Sequence, residues 1–273
     1  MRNEQVMADK DSTSTRSVIS IQGVSKVFNP NSDEKVVALE NISLEVYPGE
    51  FVSLIGPSGC GKSTLLRLIA DLLQPTEGVL TVKDKTPYDA RVDQDYGMVF
   101  QAATLLDWRT VQRNVELPLE IMRFSASERK ARAQNVLKMV ELGGFLDHYP
   151  WQLSGGMQQR VAIARALAFE PSLLFMDEPF GALDEFTRER MNMELLRIWQ
   201  ETKTTVVFVT HSIPEAVFLS NRVVVMSPRP GRISTIVEID LPYPRLFETR
   251  ETPRYFQKVN EVRELLRDAH LQD

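Results

Sequence analysis

Short apolar runs alternate with longer amphipathic segments through most of this chain of 273 residues. Uninterrupted apolar runs are typical of strands that are covered on both faces, as in a parallel sheet. The segments between them have the apolar spacing of helices. The alternation therefore predicts an α/β fold with a parallel sheet and right-handed crossovers. The predicted strands are Phe51–Ile55, Tyr96–Phe100, Leu173–Met176, Val206–Thr210 and Arg222–Met226.

The N-terminal part of the chain has a different pattern. Apolar and polar residues alternate along much of Val18–Phe28 and Val36–Val46, which predicts a small β layer that precedes the parallel sheet. Gly78–Val82 is predicted as a returning strand, and the polar stretch Asp84–Gln94 as a loop. Residues 1–17 are polar and rich in Ser and Thr, so we expect a disordered leader there.

Several helices are predicted between and after the strands. A leucine-rich stripe favours a helix that ends near Gln74, and Ser125 with Glu128 matches a capping box that starts another. The apolar stretch Ala102–Phe124 is interrupted by charges, so its surface is either core or a docking patch. Other predicted helices end at Glu170 or cover Thr187–Gln200 and Glu251–Leu266.

A glycine-rich loop follows the first strand of the predicted parallel sheet. Its pattern, G-x-x-x-x-G-K-[ST], lets backbone N–H groups surround an anion, and the next helix adds its positive N-terminus. Lys62 supplies a charge for the β- and γ-phosphates, and the Ser63 hydroxyl is suited to Mg²⁺. We therefore expect the chain to bind a nucleoside triphosphate. The residues of this loop are Gly56, Pro57, Ser58, Gly59, Cys60, Gly61, Lys62, Ser63 and Thr64.

Polar residues terminate three other predicted strands: Gln101, Asp177 with Glu178, and His211. The carboxyl ends of strands line the ligand crevice in open α/β sheets, so we expect these residues to converge on the phosphate loop. Asp177 fits the need of Mg²⁺ for hard oxygen ligands, and Glu178 is predicted to be the general base for an attacking water. The Gln101 amide suits the metal or the water, and His211 could contact the γ-phosphate or hold Glu178 and the water in line.

The composition limits the partners and the cellular location that we expect for this chain. The net charge of −5 argues against nucleic acid as the main partner. No stretch approaches the length of a membrane-spanning helix, and the N-terminus lacks the apolar segment of a signal peptide, so we expect a cytoplasmic protein. The single cysteine, Cys60, excludes an intramolecular disulfide. We interpret Cys60 as a small filler of the phosphate loop rather than a redox switch, because no activating base is evident.

Together these motifs resemble the nucleotide-binding subunit of ABC transporters over Val18 to about Ile239. Residues 56–63 look like Walker A, Gln101 like the Q-loop, and His211 like the switch histidine. The resemblance implies a P-loop NTPase (RecA-like) fold with a parallel sheet core, an antiparallel β layer and an inserted α-helical subdomain at about 102–160. The other matching motifs are Leu173–Asp177 with Glu178 (Walker B), Ser154, Gly155, Gly156 and Gln158 (signature loop), Asp184 (D-loop) and Phe28 (adenine stacking).

The resemblance also implies partners. Two copies would sandwich two ATP molecules head to tail, with the signature loop of one closing on the phosphate loop of the other. Residues 102–124 would receive a helix of a transmembrane permease, at the cytoplasmic face of the inner membrane, and a solute-binding protein would act indirectly. Residues 18–240 would form the ATPase domain, and residues 241–273 a C-terminal helical extension.

Two segments, Leu106–Val111 and Met226–Ile233, resemble the importer branch for nitrate, sulfonates and taurine. The implied function is ATP hydrolysis coupled to uptake of a small anionic solute. A soluble ABC-type ATPase acting on nucleic acid or ribosomes is the alternative, although such proteins usually carry long coiled-coil insertions or two cassettes. A P-loop kinase leaves Leu153–Gln158 without an explanation.

Overall fold

The computed structural model describes residues 16–271 of the chain. Residues 1–15, most of the expected disordered leader, lie outside the described residues. The strands are β1 Ile19–Phe28, β2 Val36–Val46, β3 Phe51–Ile55, β4 Glu77–Val82, β5 Tyr96–Val99, β6 Leu173–Asp177, β7 Thr205–Val209, β8 Arg222–Met226 and β9 Ile233–Glu238. The helices are α1 Lys62–Ile69, α2 Pro87–Val92, α3 Val111–Ile121, α4 Ala126–Met139, α5 Gly155–Leu167, α6 Glu185–Thr202, α7 Ile213–Leu219 and α8 Pro253–Leu271.

The strands form two sheets. The larger has the order β5-β6-β7-β3-β8-β9 and is parallel apart from the antiparallel edge strand β9. The smaller, β2-β1-β4, is antiparallel. The returning strand β4 therefore completes the N-terminal β layer instead of entering the parallel sheet. Strands β6, β7 and β3 are adjacent, so their carboxyl ends meet at one edge of the larger sheet.

Strand β3 lies between two hydrophobic cores. Phe51 and Ile55 face a core formed mainly with the helices α3 to α8, whereas Val52 and Leu54 face a core shared with α1 and the antiparallel sheet. Alternate residues of a strand point to opposite faces, so an uninterrupted apolar run can serve both cores. This burial on both faces fixes the strand from which the phosphate loop emerges.

Helices α3, α4 and α5 pack against one another beside the sheet. The predicted capping box is present: Ser125 accepts from the Glu128 N–H, and Glu128 accepts from the Ser125 N–H. The stretch 102–124 contributes some of its apolar residues to the core and leaves others exposed on the surface. Val111, Val115 and Leu119 are fully buried, whereas Trp108 and Ile121 are 75% and 67% exposed.

Three sequence predictions about helices are wrong. The helix after the phosphate loop ends at Ile69, because Asp71 takes a positive φ of 49°, and Leu72 lies outside it. Residues 84–94 contain helix α2, which Thr86 caps by accepting from the Asp89 N–H and which begins at Pro87. The third error is an omission: α7 begins at Ile213, two residues after His211, and its seven residues are too few for the apolar spacing to signal a helix.

The C-terminal extension is anchored by a buried arginine. The Arg245 guanidinium donates to main-chain carbonyl oxygens at the end of α7 and in the segment after β9. It also stacks 4.0 Å from the ring centre of Tyr243. Helix α8 then packs on α7 and β8, so residues 241–271 cover one side of the sheet. The accepting residues are Val217, Phe218, Ser220, Ile239 and Leu241.

Candidate nucleotide-binding and catalytic site

The phosphate loop connects β3 to α1 and is shaped for an anion. Gly59 and Gly61 have φ values of 78° and 104°, which L side chains rarely adopt. The Lys62 ammonium donates to the carbonyl oxygens of Gly56 and Pro57 at 2.8 and 2.9 Å, and the residue is only 5% exposed. A buried cation therefore lies within the loop at the N-terminus of α1, where it adds to the positive end of the helix.

Close packing holds this loop in place. A Cβ on Gly61 would approach Leu39 Cδ2 to 2.6 Å, and one on Gly56 would lie 2.9 Å from the Met226 carbonyl oxygen. Gly231, in the turn between β8 and β9, leaves even less room, since its Cβ would lie 1.9 Å from the Cys60 carbonyl oxygen. The loop is thus clamped between β2 and the β8–β9 turn, and the backbone itself sets the shape of the cradle.

Cys60 is buried within the loop. Burial raises the pKa of its thiol, and the Lys62 charge opposes that shift only in part. A raised pKa disfavours the thiolate, which is the reactive form of cysteine. The geometry therefore favours the packing role expected from the sequence.

Oxygen ligands meet at the start of α1. The Ser63 hydroxyl donates to Asp177 Oδ1 at 2.6 Å, and Asp177 is only 6% exposed. The Asp177 carboxylate has one cation nearby, the half-exposed Arg67 guanidinium at 3.7 Å. Two hard oxygen donors beside a phosphate cradle match the preference of Mg²⁺.

Glu178 leaves the line of strand β6. Its φ of 47° turns the chain, while its N–H donates to the Val209 carbonyl oxygen of β7 at 3.0 Å. The Glu178 carboxylate lies 3.5 Å from His211 Nδ1 and lines the cleft that contains Lys62 and Ser63. The structure therefore separates the two acids, with Asp177 beside the Ser63 hydroxyl and Glu178 beside the histidine.

Gln101 approaches the same acid from β5. Its Nε2 atom lies 3.4 Å from the position of a Cβ on Gly181, and Glu178 Oε2 lies 3.7 Å from that position. Helix α5 fixes this loop, because Gln159 donates to the Phe100 carbonyl oxygen at 3.0 Å and Arg165 donates to the Ala103 carbonyl oxygen at 2.9 Å. The helix that follows the signature loop thus also holds the segment around Gln101.

The structure does not bring the signature loop to the phosphate loop of the same chain. Ser154 caps α5 by accepting from the Met157 N–H, and a Cβ on Gly155 would meet nothing within 4 Å. Gly156 is buried, and a Cβ on it would lie 3.0 Å from the Thr187 side chain. The Gln158 amide donates to the carbonyl oxygens of Pro150 and Leu153, so it supports its own loop.

Asp184 also acts locally in this structure. It caps α6 by accepting from the Thr187 N–H at 3.0 Å, and that bond lowers the pKa of the Asp184 carboxyl. The acid stands next to the packed Gly156, since a Cβ at Gly156 would touch the Thr187 side chain. The D-loop and the signature loop are therefore neighbours on one surface.

A cleft of about 240 Å³ opens over the phosphate loop. Phe28, Val36 and Ala38 form an apolar wall, and the polar wall includes Lys62 and Glu178. An aromatic ring at the mouth of a phosphate cradle suits a nucleotide base, as the resemblance implied. The cleft is also lined by Ser58, Gly59, Gly61, Ser63, Thr64 and Arg229.

Comparison with known proteins gives one consistent answer. Residues 39–181 match the ABC transporter family. The chain belongs to the ABC transporter family. An uncharacterized ABC transporter ATP-binding protein of Methanocaldococcus jannaschii is 52% identical over 241 residues, which are 88% of this chain and 89% of that protein. The aliphatic sulfonates import ATP-binding protein of Bacillus cereus is 44% identical over 241 residues, which are 88% of this chain and 92% of that protein.

Solved structures agree. A dimeric ATP-binding cassette in a post-hydrolysis state with ADP and Pi is 38% identical, has a TM-score of 0.72, and is matched over 82% of this chain and 100% of that one. The predicted P-loop NTPase fold is confirmed, and as an ABC family member the chain is an ATPase. Among residues 16–271, no helix is both long and apolar enough to cross a membrane.

Arg229 was missed by the sequence reasoning about the ABC ATPase site. Its guanidinium donates to the Gly59 carbonyl oxygen at 3.1 Å from the tight β8–β9 turn and lines the cleft. Within the part of the chain that the structure describes, Arg229 has no carboxylate partner. In the sequence, the segment Met226–Ile233 only resembles an importer branch. The spacing of residues along the chain could not predict that Arg229 borders the phosphate loop. That position results from the pairing of β8 with β3.

Glu215, in α7, was also missed. It is 4% exposed, and its carboxylate accepts from the Thr210 hydroxyl, one residue before His211. Burial raises the pKa of Glu215 to about 7, although Thr210, Arg188 and Asn192 oppose the shift. A buried carboxyl directly behind the switch histidine has no counterpart in the motifs read from the sequence.

Proposed function

We propose that this chain is the ATP-hydrolysing subunit of an ABC importer for a small anionic solute. The observation that carries the proposal is the convergence at one cleft of a buried lysine, a Ser63–Asp177 pair and a Glu178–His211 pair. These groups come from three separate segments of the chain, and the topology of the sheet explains why they meet.

Each group has a distinct role in this proposal. Lys62 and the N–H groups of residues 56–64 bind the phosphates, and Phe28 stacks on the adenine. Glu178 accepts a proton from the attacking water, because it is the one of the two acids that faces the cleft without the Ser63 hydroxyl on it. His211 orients Glu178 through its Nδ1 atom, and the Gln101 amide, like Glu178, lies close to Gly181, from where it would help to position the water.

A magnesium ion fits the Ser63–Asp177 pair. Both donors are hard oxygens, and the 6% exposed Asp177 has little other charge compensation. Residues 16–271 contain no cluster of three or more His, Cys, Asp or Glu side chains suited to a metal, so phosphates and water would complete the coordination. Bound there, the ion would neutralise charge on the phosphates. Gln101 is the third protein group proposed to serve it.

A second copy of the chain completes the site in this proposal. Ser154 and Gly155 are exposed on the surface of one copy, at the N-terminus of a helix that can bind an anion. They would close on the ATP held by the phosphate loop of the other copy, with Gly156, Gln158 and Asp184 supporting that surface. The dimeric ADP-bound cassette with the same fold supports this arrangement.

The permease would dock beside α3. A mainly apolar groove there is lined by Tyr96, Pro118, Ile121, Met122 and Phe169, with Arg91 and Gln94 at its polar end. A groove of this kind suits the apolar face of a helix from a membrane-spanning partner. The relative named for import of aliphatic sulfonates supports an anionic solute. The chain would then work at the cytoplasmic face of the inner membrane, with a solute-binding protein acting on the permease.

The test of the ATPase site is a pair of variants. Glu178→Gln should bind MgATP normally but lose at least about a hundredfold in kcat, since general bases typically contribute that much. Lys62→Ala should weaken nucleotide binding itself. The two parameters would be measured by fluorescent-nucleotide titration and phosphate release. Hydrolysis at the parent rate by Glu178→Gln would exclude the proposed base.

The test of the import role uses the groove. Ile121→Asp should abolish ATP-dependent uptake of labelled sulfonate, taurine or nitrate in cells that also express the neighbouring permease genes. The ATPase activity of the isolated chain should persist, because Ile121 is 67% exposed and lies outside the cleft. Val79→Asp, at a 60% exposed position on β4, is the matched control. Undiminished uptake with Ile121→Asp would contradict docking at this groove.

A further inference from the structure

We propose that the C-terminal extension is a positioning element for catalysis, which acts on His211 through helix α7. The proposal rests on the ATPase site described above. Helix α7 begins at Ile213, two residues after His211, and the extension contacts it from behind. Any change in how α7 is held therefore changes where the histidine sits.

The first link in this device joins His211 to α7. Thr210, directly before His211, donates its hydroxyl proton to Glu215 and accepts from the Ser212 N–H at 3.0 Å. Ser212 in turn caps α7 by accepting from the Glu215 N–H. Residues on both sides of the histidine are thus tied to the buried Glu215 carboxyl, and the backbone at His211 follows the helix.

The second link joins α7 to α6 and to the D-loop. Arg188 of α6 lines the same narrow space as Glu178, His211 and Glu215, a space too small to admit a water molecule. The Arg188 guanidinium also donates to the Leu183 carbonyl oxygen at 2.9 Å, one residue before Asp184. The catalytic acid, the histidine and the D-loop therefore share one packed polar cluster.

The third link is supplied by the extension. Tyr255 of α8 donates to the Pro214 carbonyl oxygen at 2.9 Å, in the first turn of α7. Arg250 pairs with Glu189 of α6 at 3.1 Å and lies 4.2 Å from the ring centre of Phe218 of α7. The extension thereby holds α6 and α7 together directly behind the catalytic pair.

Unpartnered polar atoms gather in this cluster. Within the described residues, Glu215 Oε1, Asn192 Oδ1, Arg188 Nε and two Arg250 nitrogens are buried without a hydrogen-bond partner. Removal of one member should shift its neighbours rather than leave the site unchanged.

The experiment compares two arginines of the extension. Arg250→Gln should lower kcat of the purified chain by roughly tenfold while KM and ATP affinity change by less than about twofold, the pattern of a lost transition-state arrangement. Arg254→Gln is the matched control, because Arg254 also forms an ion pair, with Asp240, but that pair is half-exposed and includes no residue of α6 or α7. It should leave both parameters unchanged.

A second variant guards against simple unfolding. Tyr255→Phe keeps the buried ring and removes only the bond to Pro214, so the melting curve should stay close to that of the parent while kcat falls a few-fold. Parent kcat in both Arg250→Gln and Tyr255→Phe would overturn the positioning role. Equal losses in kcat and ATP affinity would also overturn it, because they would indicate damage to the nucleotide cleft. Failure of Glu178→Gln to lose activity would instead contradict the proposed function itself.

Discussion

The phosphate loop and the signature loop are both glycine-rich and both precede a helix, yet the structure treats them in opposite ways. A Cβ at Gly56, Gly61 or Gly231 would collide with neighbouring atoms, and Lys62 is buried among carbonyl oxygens of its own loop. A Cβ at Gly155 would meet nothing within 4 Å, and Ser154 is exposed. The phosphate loop is packed against residues of its own chain. The start of the signature loop, in contrast, is exposed on the surface.

Because of this difference, substitutions in the two loops should affect different properties: the stability of the fold in the phosphate loop, and activity in the signature loop. Glycines in the phosphate loop are required by the fold, so their replacement tests packing first. The first glycine of the signature loop is under no such constraint, and helix starts tolerate alanine well. Any activity that depends on Gly155 must then come from something that approaches from outside the chain.

The largest expected effect is at Gly231. Gly231→Ala would place its Cβ 1.9 Å from the Cys60 carbonyl oxygen, so the β8–β9 turn or the phosphate loop must shift. Overpacking typically costs about 1–3 kcal/mol, and a clash this close with rigid backbone should cost about 3 kcal/mol, which chemical denaturation should show. Gly144→Ala is the control, since a Cβ there meets nothing within 4 Å. Parent stability in Gly231→Ala would show that the clamp on the phosphate loop is loose.

The signature loop should give the opposite result. Gly155→Ala is expected to keep the free energy of unfolding within about 0.5 kcal/mol of the parent, as surface substitutions usually do. Its ATPase activity should nevertheless fall roughly tenfold, because the added Cβ would keep the backbone N–H away from a phosphate that approaches from outside, and a weakened contact of that kind costs on the order of 1.4 kcal/mol. Both quantities would be measured on the same preparation. Full activity would place Gly155 outside any active site.

The smallest effect is expected at Arg229, which borders the phosphate loop without being part of it. Arg229→Gln should raise KM for ATP a few-fold and leave kcat unchanged, because the guanidinium is exposed at the cleft and contacts only the Gly59 carbonyl oxygen. Steady-state kinetics over a range of ATP concentrations would measure this. Arg232→Gln, in the same turn but paired with Glu40, should change neither parameter.

The sequence predicted local features better than long-range ones. β2, β3 and β8 have the predicted bounds, because each is a short apolar or alternating run with turn residues beside it. The convergence of Asp177, Glu178 and His211 on the phosphate loop followed from the rule that strand ends line the crevice. Helix α2 was missed because Thr86 and Pro87 outweigh its polar composition.

The contacts of three residues could be identified only from the fold: those of Arg229, Glu215 and Arg250. Their partners lie 170, 5 and 61 residues away in sequence, and only Glu215 has a local partner. That local partner, Thr210, gave no signal either, because nothing in the apolar pattern shows that α7 buries an acidic side chain. Tertiary packing decides such contacts, and spacing along the chain does not contain them.

The central claim is that one copy of this chain carries two incomplete halves of its ATPase site. Sedimentation velocity of Glu178→Gln with and without MgATP tests that claim most directly, because the variant should hold ATP without cleaving it. We predict a dimer with MgATP and a monomer without it, and loss of the dimer when Gly155→Arg is added. A Glu178→Gln chain that binds MgATP yet stays monomeric would contradict the claim.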